Sequence, residues 1–479
     1  MSQEDEFTPP PTPFGGWVRS PRGILVPAET GPHCLGVAPP GMGKTRKWLA
    51  VVGALWPSSC LISSSRDDLM QLVMRRRLGS VQLLDLRPIG EAGVYPREVQ
   101  YVRFDPTKCI NTFQQAASCA RSMLRVAGAG QPGGIRAEAN GMWDDLALAV
   151  LTCLLWTGTV DSRKGIDWVL QAAENPWAPP PDPKTGARDW TDVDPHAPTW
   201  AAAADDAHGI DKRFQARVRG VLCQEPRQRD SIKMTISHAL TGWLVAGLSK
   251  VPAIDFDLAF LDNPENTLFV LCPIGGESAP LASVLMDMLI NRRREMAQKW
   301  DTLTQLGIFL DELTNTPIAN LAGNIAENRG LFVSIAGAMQ ATSQLEAVYG
   351  QSQANPIMDV TPAWLVMYGS HEERLMRSAT YWMGKTTSST HTYSNNSDER
   401  TTGREWRDMF DPSELNPTNP NEGRLIVRGT AGHRVHLLDF VESMAHYDEA
   451  KRILEAEQER VRRTGSVRNP IPNNGVIPR

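Results

Sequence analysis

The hydrophobic pattern changes period along the chain. From residue 31 to about 110, short apolar runs alternate with stretches of helical spacing. Cys34-Leu35-Gly36-Val37, Cys60-Leu61-Ile62 and Val81-Gln82-Leu83-Leu84-Asp85 read as buried strands, and 67–78 reads as a helix between two of them. From 111 to about 250 strand signals stop. Apolar positions at helical spacing recur over 112–126, 141–155, 207–222 and 232–248, and a Pro-, Asp- and Trp-rich stretch over 175–198 predicts an exposed loop. Strand signals return at 267–271, 306–310, 331–336 and 364–367. The runs 424–427 and 434–438 predict a hairpin, and 441–462 a charged terminal helix.

Strands alternating with helices imply an α/β fold with a mostly parallel sheet. The helical block reads as an all-α domain inserted into it. The expected organisation is a disordered tail over 1–30 and an α/β domain in two parts, 31–110 and 251–440. Between the parts lies the all-α insertion, 111–250. A helix over 441–463 and a disordered tail over 464–479 follow.

Composition narrows the class. The 479 residues are 41% hydrophobic and 22% charged, ordinary for a globular chain with room for two or three cores. Net charge is −5, so any nucleic-acid contact must come from a local basic patch. The 7 cysteines occur singly, several in apolar runs (Cys34, Cys60, Cys153, Cys272), which suits buried reduced thiols rather than a zinc site. No segment is predicted to span a membrane. The best candidate, 146–157, is too short and follows Asp144-Asp145. The acidic, Pro-rich N-terminus has no signal-peptide pattern. A cytoplasmic protein is expected.

The first candidate for chemistry is Ala38-Pro39-Pro40-Gly41-Met42-Gly43-Lys44-Thr45, between a predicted strand and a predicted helix. In that context a glycine-rich loop points backbone N–H groups at phosphate oxygens, aided by the helix N-terminus. Pro40, Gly41, Met42 and Gly43 would form the cradle. Lys44 would reach the β/γ-phosphates, and the Thr45 hydroxyl would hold Mg²⁺. Ala38 stands where the strict pattern has its first glycine. The second candidate is Leu306-Gly307-Ile308-Phe309-Leu310-Asp311-Glu312, an apolar strand ending in two acids. Beside a phosphate loop, Asp311 would order the Mg²⁺ shell and Glu312 would polarise the attacking water. An acidic turn after a strand is common, so this motif gains its meaning from the loop.

Three weaker signals remain. Gln340, just past an apolar strand, can sense a γ-phosphate through water or simply face solvent. Arg329, between a predicted helix and strand, can act as a finger on a neighbour's nucleotide or be a solvated helix-end arginine. In the helical block, Lys212, Arg213, Arg217 and Arg219 fall near helical spacing. They form either a DNA-contacting stripe or a solvated face.

The string Phe309-Leu310-Asp311-Glu312…Ala326-Glu327-Asn328-Arg329-Gly330…Ala338-Met339-Gln340-Ala341-Thr342-Ser343-Gln344-Leu345 resembles the TraG/TraD-type coupling proteins of conjugation and type IV secretion. So do Tyr368-Gly369-Ser370-His371-Glu372-Glu373, Met383-Gly384-Lys385-Thr386-Thr387 and Gly141-Met142-Trp143. The resemblance implies a RecA-like P-loop ATPase domain with an inserted all-α domain, using ATP and Mg²⁺. It implies a homo-hexameric ring with ATP between subunits. It also implies recruitment of a relaxase-bound DNA strand, or of protein substrates, to a secretion channel at the inner face of the bacterial membrane. Two features depart from the family. No N-terminal transmembrane helix is predicted, which leaves open a soluble subclass, a subunit recruited by a membrane-anchored partner, or a truncated chain. Where members commonly read Asp-x-Lys-x-Glu, this chain has Ser63-Ser64-Ser65-Arg66-Asp67-Asp68. Two competing expectations are a duplex-DNA pump of the FtsK/HerA type and a nucleotide-dependent docking platform with little turnover.

Overall fold

The computed structural model describes residues 11–20, 23–87, 95, 98–129, 131–135, 142–160, 164–247, 251–299, 303–327, 330–393, 400–430 and 432–464. The chain divides into two compact units. One comprises Met1–Pro57, Ser334–Gln344 and Val360–Arg479; the other comprises Ser58–Val333 and Leu345–Asp359.

In the first unit three parallel strands, Ala363–Met367, His33–Val37 and Val333–Met339, lie side by side with His33–Val37 in the middle. Glu422–Val427 pairs antiparallel to Ala363–Met367, followed by His433–His436, Trp17–Arg19 and Leu25–Pro27. Every residue of the three parallel strands is buried, which is why they read as continuous apolar runs rather than alternating ones. The strand read from 331 begins at Val333, because Phe332 takes a left-handed φ of 56° and breaks the extended run before it.

The expected disordered tail is corrected from residue 11 onward. Trp17–Arg19 and Leu25–Pro27 are strands, and Phe14 and Trp17 are buried. The rings of Phe14 and Trp17 meet edge to face at 5.2 Å, and Trp17 Nε1 donates to Ser443 Oγ at 3.0 Å. Trp48 Nε1 donates to the Phe14 carbonyl at 2.7 Å. Two indole donors thus find partners in the core, and the apolar side chains outweigh the local Pro and acid content that suggested disorder. Residues 1–10 and 465–479 lie outside the described residues.

Gly36 sits mid-strand for a packing reason. A Cβ there would lie 2.2 Å from Trp48 Cζ3. The missing side chain lets the helix after the loop lie close against the strand.

His33, at the other end of that strand, is buried. Its Nδ1 accepts from the Ile335 N–H at 3.1 Å, so the neutral ring carries its proton on Nε2. Burial lowers its pKa from 6.5 to about 4. The folded protein therefore binds fewer protons than the unfolded chain between these values, and stability falls as pH drops from 6.5 toward 4. By pH 4.5 this single group should cost about 2.5 kcal/mol. His33→Asn keeps an acceptor for Ile335 and removes the titration. Denaturant melts at pH 7.5 and 4.5 should therefore show a smaller acid loss for the variant. Equal losses would rule His33 out as the cause.

The second unit carries six parallel strands in the order Leu306–Leu310, Cys60–Ser64, Thr267–Leu271, Val81–Asp85, Gln100–Arg103 and Ile254–Asp255. The last two are short and half exposed, and give no clear apolar signal. Between Arg103 and Ile254 the described residues form helices and loops, with one isolated bridge at Pro181 and Arg188. The helix Met142–Val160 packs against Phe113–Val126, Gly165–Ala173, Trp200–His208, Lys212–Leu222 and Pro226–Ala246. It is apolar nearly all round because helices surround it. Among the described residues no helix is long and apolar enough to cross a membrane.

The helix read over 207–222 is two helices. Asp211 caps the second, its carboxylate accepting from the Arg213 N–H at 2.9 Å. The second helix runs on through Arg219 and Gly220 to Leu222. Pro226 opens the next helix at its first turn, where its missing N–H costs nothing.

Candidate functional site

In the first unit, residues 38–43 leave the carboxyl end of the His33–Val37 strand and enter a helix at Lys44. Gly41 and Gly43 take φ of 78° and 92°, which a side chain would strain. Ala38 does not share that conformation, so alanine suffices where the strict motif has glycine. Its N–H donates to the Met339 carbonyl at 3.1 Å. Lys44 Nζ folds back over the loop and donates to the Ala38 carbonyl at 2.7 Å and the Pro39 carbonyl at 3.4 Å. The first helical turn is wide, a π-type segment over Lys44–Leu49 that passes into an α-helix at Ala50. Its outer face is tied down. Arg46 makes a two-pronged pair with Asp439 at 2.9 Å, and Lys47 Nζ donates to the Pro420 carbonyl and Asn421 Oδ1. The Arg46 guanidinium holds the Asp439 carboxyl below its usual range.

The neighbouring parallel strands bring two further segments to the loop. Val37 pairs with Met339, which sets Gln340 at the adjacent strand end. Gln340 is exposed, and its N–H donates to Gln344 Oε1 at 2.7 Å. From the Ala363–Met367 side, Ser370 Oγ donates to the Val37 carbonyl at 3.0 Å. The buried Glu372 accepts from the Thr342 N–H and hydroxyl at 2.9 and 2.6 Å, fixing the two strand ends against each other. Ser370 and Glu372 were not picked out individually from sequence. Their signal was the Tyr368-Gly369-Ser370-His371-Glu372-Glu373 string that carries part of the resemblance.

In the second unit, Asp311 and Glu312 follow the Leu306–Leu310 strand at its carboxyl end. The Asp311 N–H continues the ladder to the Ser63 carbonyl at 2.9 Å. Its carboxylate accepts from Ser64 Oγ at 2.9 Å. Glu312 Oε1 accepts from the Thr314 hydroxyl at 2.8 Å. The turn behind is fastened by Asn315, whose Nδ2 donates to the Cys272 carbonyl and whose Oδ1 accepts from the Gly275 N–H. Ser63 and Thr316 hydroxyls meet at 3.0 Å. The departure at Ser63-Ser64-Ser65 therefore acquires a role: Ser64 orients the Asp311 carboxylate.

The remaining sequence candidates divide. Arg329 lies outside the described residues. Arg213 is paired with Asp211 at 2.8 Å on an exposed surface. Arg219 is half-buried, bonded to Asp205 at 2.6 Å with its guanidinium 4.7 Å over the Trp190 ring. That contact clamps the 175–198 loop, so Arg219 is engaged within the helical block. Lys212 and Arg217 are exposed.

The glycine-rich loop leads a helix from the end of one buried parallel strand, and the aspartate–glutamate pair closes another, in an α/β fold with a mostly parallel sheet. Residues 305–419 match the family model described as the TraM recognition site of TraD and TraG. No curated protein matches the chain. Among solved structures it is similar to the bacterial conjugative coupling protein TrwBdeltaN70 in its unbound form, at TM-score 0.57 and 15% identity, covering 88% of each chain. TrwB with ADP and Mg²⁺ matches at 0.54 and 15%, covering 85% of this chain and 86% of that one. TrwB with the ATP analogue ADPNP matches at 0.55 and 15%, covering 90% and 96%. The chain thus resembles TraG/TraD-type coupling proteins in sequence over 305–419 and in fold over most of its length.

Proposed function

We propose that this protein is an ATP-hydrolysing coupling protein that recruits or moves relaxase-bound DNA to a type IV secretion channel during conjugation. The observation that carries the reading is the family match over 305–419, which includes Asp311 and Glu312, and it is supported by a loop before Lys44 that turns on left-handed Gly41 and Gly43.

The residues fit ATP and Mg²⁺. Left-handed Gly41 and Gly43 turn the loop without side chains in the way, and a Cβ on Gly41 would meet nothing within 4 Å. Lys44 would be the cation for the β/γ-phosphates, released for them from the Ala38 and Pro39 carbonyls. The Thr45 hydroxyl would hold Mg²⁺, and Asp311 is assigned to order its shell. Glu312 takes the proton of the attacking water. Bound Mg²⁺ offsets phosphate charge during transfer. Gln340, at the strand end next to the loop, senses the γ-phosphate. Arg329 is assigned as the finger supplied to a neighbour in a homo-hexamer. Relaxosome and channel proteins are the other partners, TraM-type recognition among them. The test is steady-state ATP hydrolysis with and without DNA.

A further inference from the structure

Glu372 carries a carboxylate that is only 6% exposed, in the residue just before the helix Glu373–Met383. A helix start attracts a carboxylate, yet this one does not cap its own helix. Both oxygens go to a single residue past the end of the strand Val333–Met339. Oε1 accepts from the Thr342 N–H at 2.9 Å and Oε2 from the Thr342 hydroxyl at 2.6 Å. Taking a carboxylate out of water is unfavourable unless such donors offset it, so these two bonds hold firmly.

Thr342 lies in the middle of a short closed turn. Gln344 Oε1 accepts from the Gln340 N–H at 2.7 Å and the Ala341 N–H at 3.4 Å, and the Gln344 N–H returns to the Ala341 carbonyl at 3.1 Å. Gln344 thus fixes residues 340–344 from within, and Glu372 fixes them from the facing turn. That facing turn is itself tied to the phosphate loop. Ser370 donates to the carbonyl of Val37, the last strand residue before the loop. Gly369 is left-handed, and a Cβ there would lie 3.5 Å from Pro39, so the turn rests against the loop. One chain of contacts therefore runs from the loop through Ser370 and Glu372 to Thr342 and the Gln340 backbone.

We propose that Glu372 is a positioning residue for hydrolysis, which holds Gln340 in place beside the phosphate loop through Thr342. The proposal rests on the reading above that Gln340 meets the γ-phosphate. A side-chain amide with that task must be placed to a fraction of an ångström. Gln340 is exposed, so packing does not place it. The bonds to Thr342 and Gln344 do, through its backbone.

The experiment measures kcat and KM for ATP and, separately, hydrogen exchange over residues 340–344 in the nucleotide-free protein. Variants are Glu372→Ala, Glu372→Gln, Thr342→Val, Gln340→Ala and the double Glu372→Ala/Gln340→Ala. Glu372→Ala should speed exchange over 340–344 and lower kcat about ten- to hundredfold, with KM changed by less than about threefold. Glu372→Gln can still accept from the Thr342 N–H and donate to its hydroxyl oxygen, and should restore slow exchange and most of the rate. Thr342→Val removes only the hydroxyl bond and should lower kcat by less. It carries the same comparison with Gln340→Ala if Glu372→Ala does not fold. The double variant decides. If Glu372 acts through Gln340, the double should turn over no more slowly than Gln340→Ala. Losses that multiply would make Glu372 an independent structural contact and overturn the proposal. So would a wild-type kcat in both Glu372→Ala and Thr342→Val beside a slow Gln340→Ala. A wild-type rate in Gln340→Ala would instead remove the γ-phosphate reading, and the proposal with it.

Discussion

Lys44→Ala should abolish ATP hydrolysis and weaken nucleotide binding about a hundredfold or more. The lysine supplies the only cation among residues 38–45. It also closes the loop on itself, since its ammonium bridges the Ala38 and Pro39 carbonyls. Alanine removes both. The side chain is only half-buried, so the melting temperature should move little and the loss belongs to the site. Lys44→Arg should fail as well, because a planar guanidinium cannot replace a compact ammonium in a loop of this size. Titration with a fluorescent ATP analogue gives the answer. Wild-type affinity in the alanine variant would remove the loop from the nucleotide site.

Glu312→Gln should separate binding from turnover. The amide keeps the shape of the carboxylate and can still accept from the Thr314 hydroxyl, now 2.8 Å from Oε1. The Asp311 carboxylate and its Ser64 donor are untouched. Nucleotide and Mg²⁺ should therefore bind as in wild type. An amide is no base, so the hydrolysis rate should fall about a hundred- to ten-thousandfold. Rapid-quench measurement of a single turnover reads the step directly. Turnover at the wild-type rate would disqualify Glu312 as the proton acceptor.

Much of this was legible in the sequence where burial is complete. Buried parallel strands read as short unbroken apolar runs, and Cys34, Leu268 and Phe309 lie within strands found that way. The phosphate loop and the Asp311-Glu312 pair were legible because each needs special residues at fixed spacing. What escaped has weaker local chemistry. The strands Lys385–Tyr393 and Arg400–Asp408 have no apolar alternation, and their order lies in cross-strand register, which only the folded chain displays. Trp17 looked like part of a Pro-rich tail, because its partner Ser443 lies 426 residues away. Ser64 read as a departure from a family motif. Its bond to Asp311 spans 247 residues, and no local pattern encodes that. Arg219 read as a free cation because Asp205 and Trp190 lie outside its own helical repeat.

In the function proposed above, nucleotide hydrolysis serves DNA. Its most direct test is the steady-state ATPase rate of the full chain at several protein concentrations, without DNA and with single-stranded or duplex DNA. The rate should rise steeply with protein concentration as rings assemble, and single-stranded DNA should stimulate it severalfold, an effect that vanishes in Glu312→Gln. A rate proportional to protein concentration and indifferent to either form of DNA would contradict it.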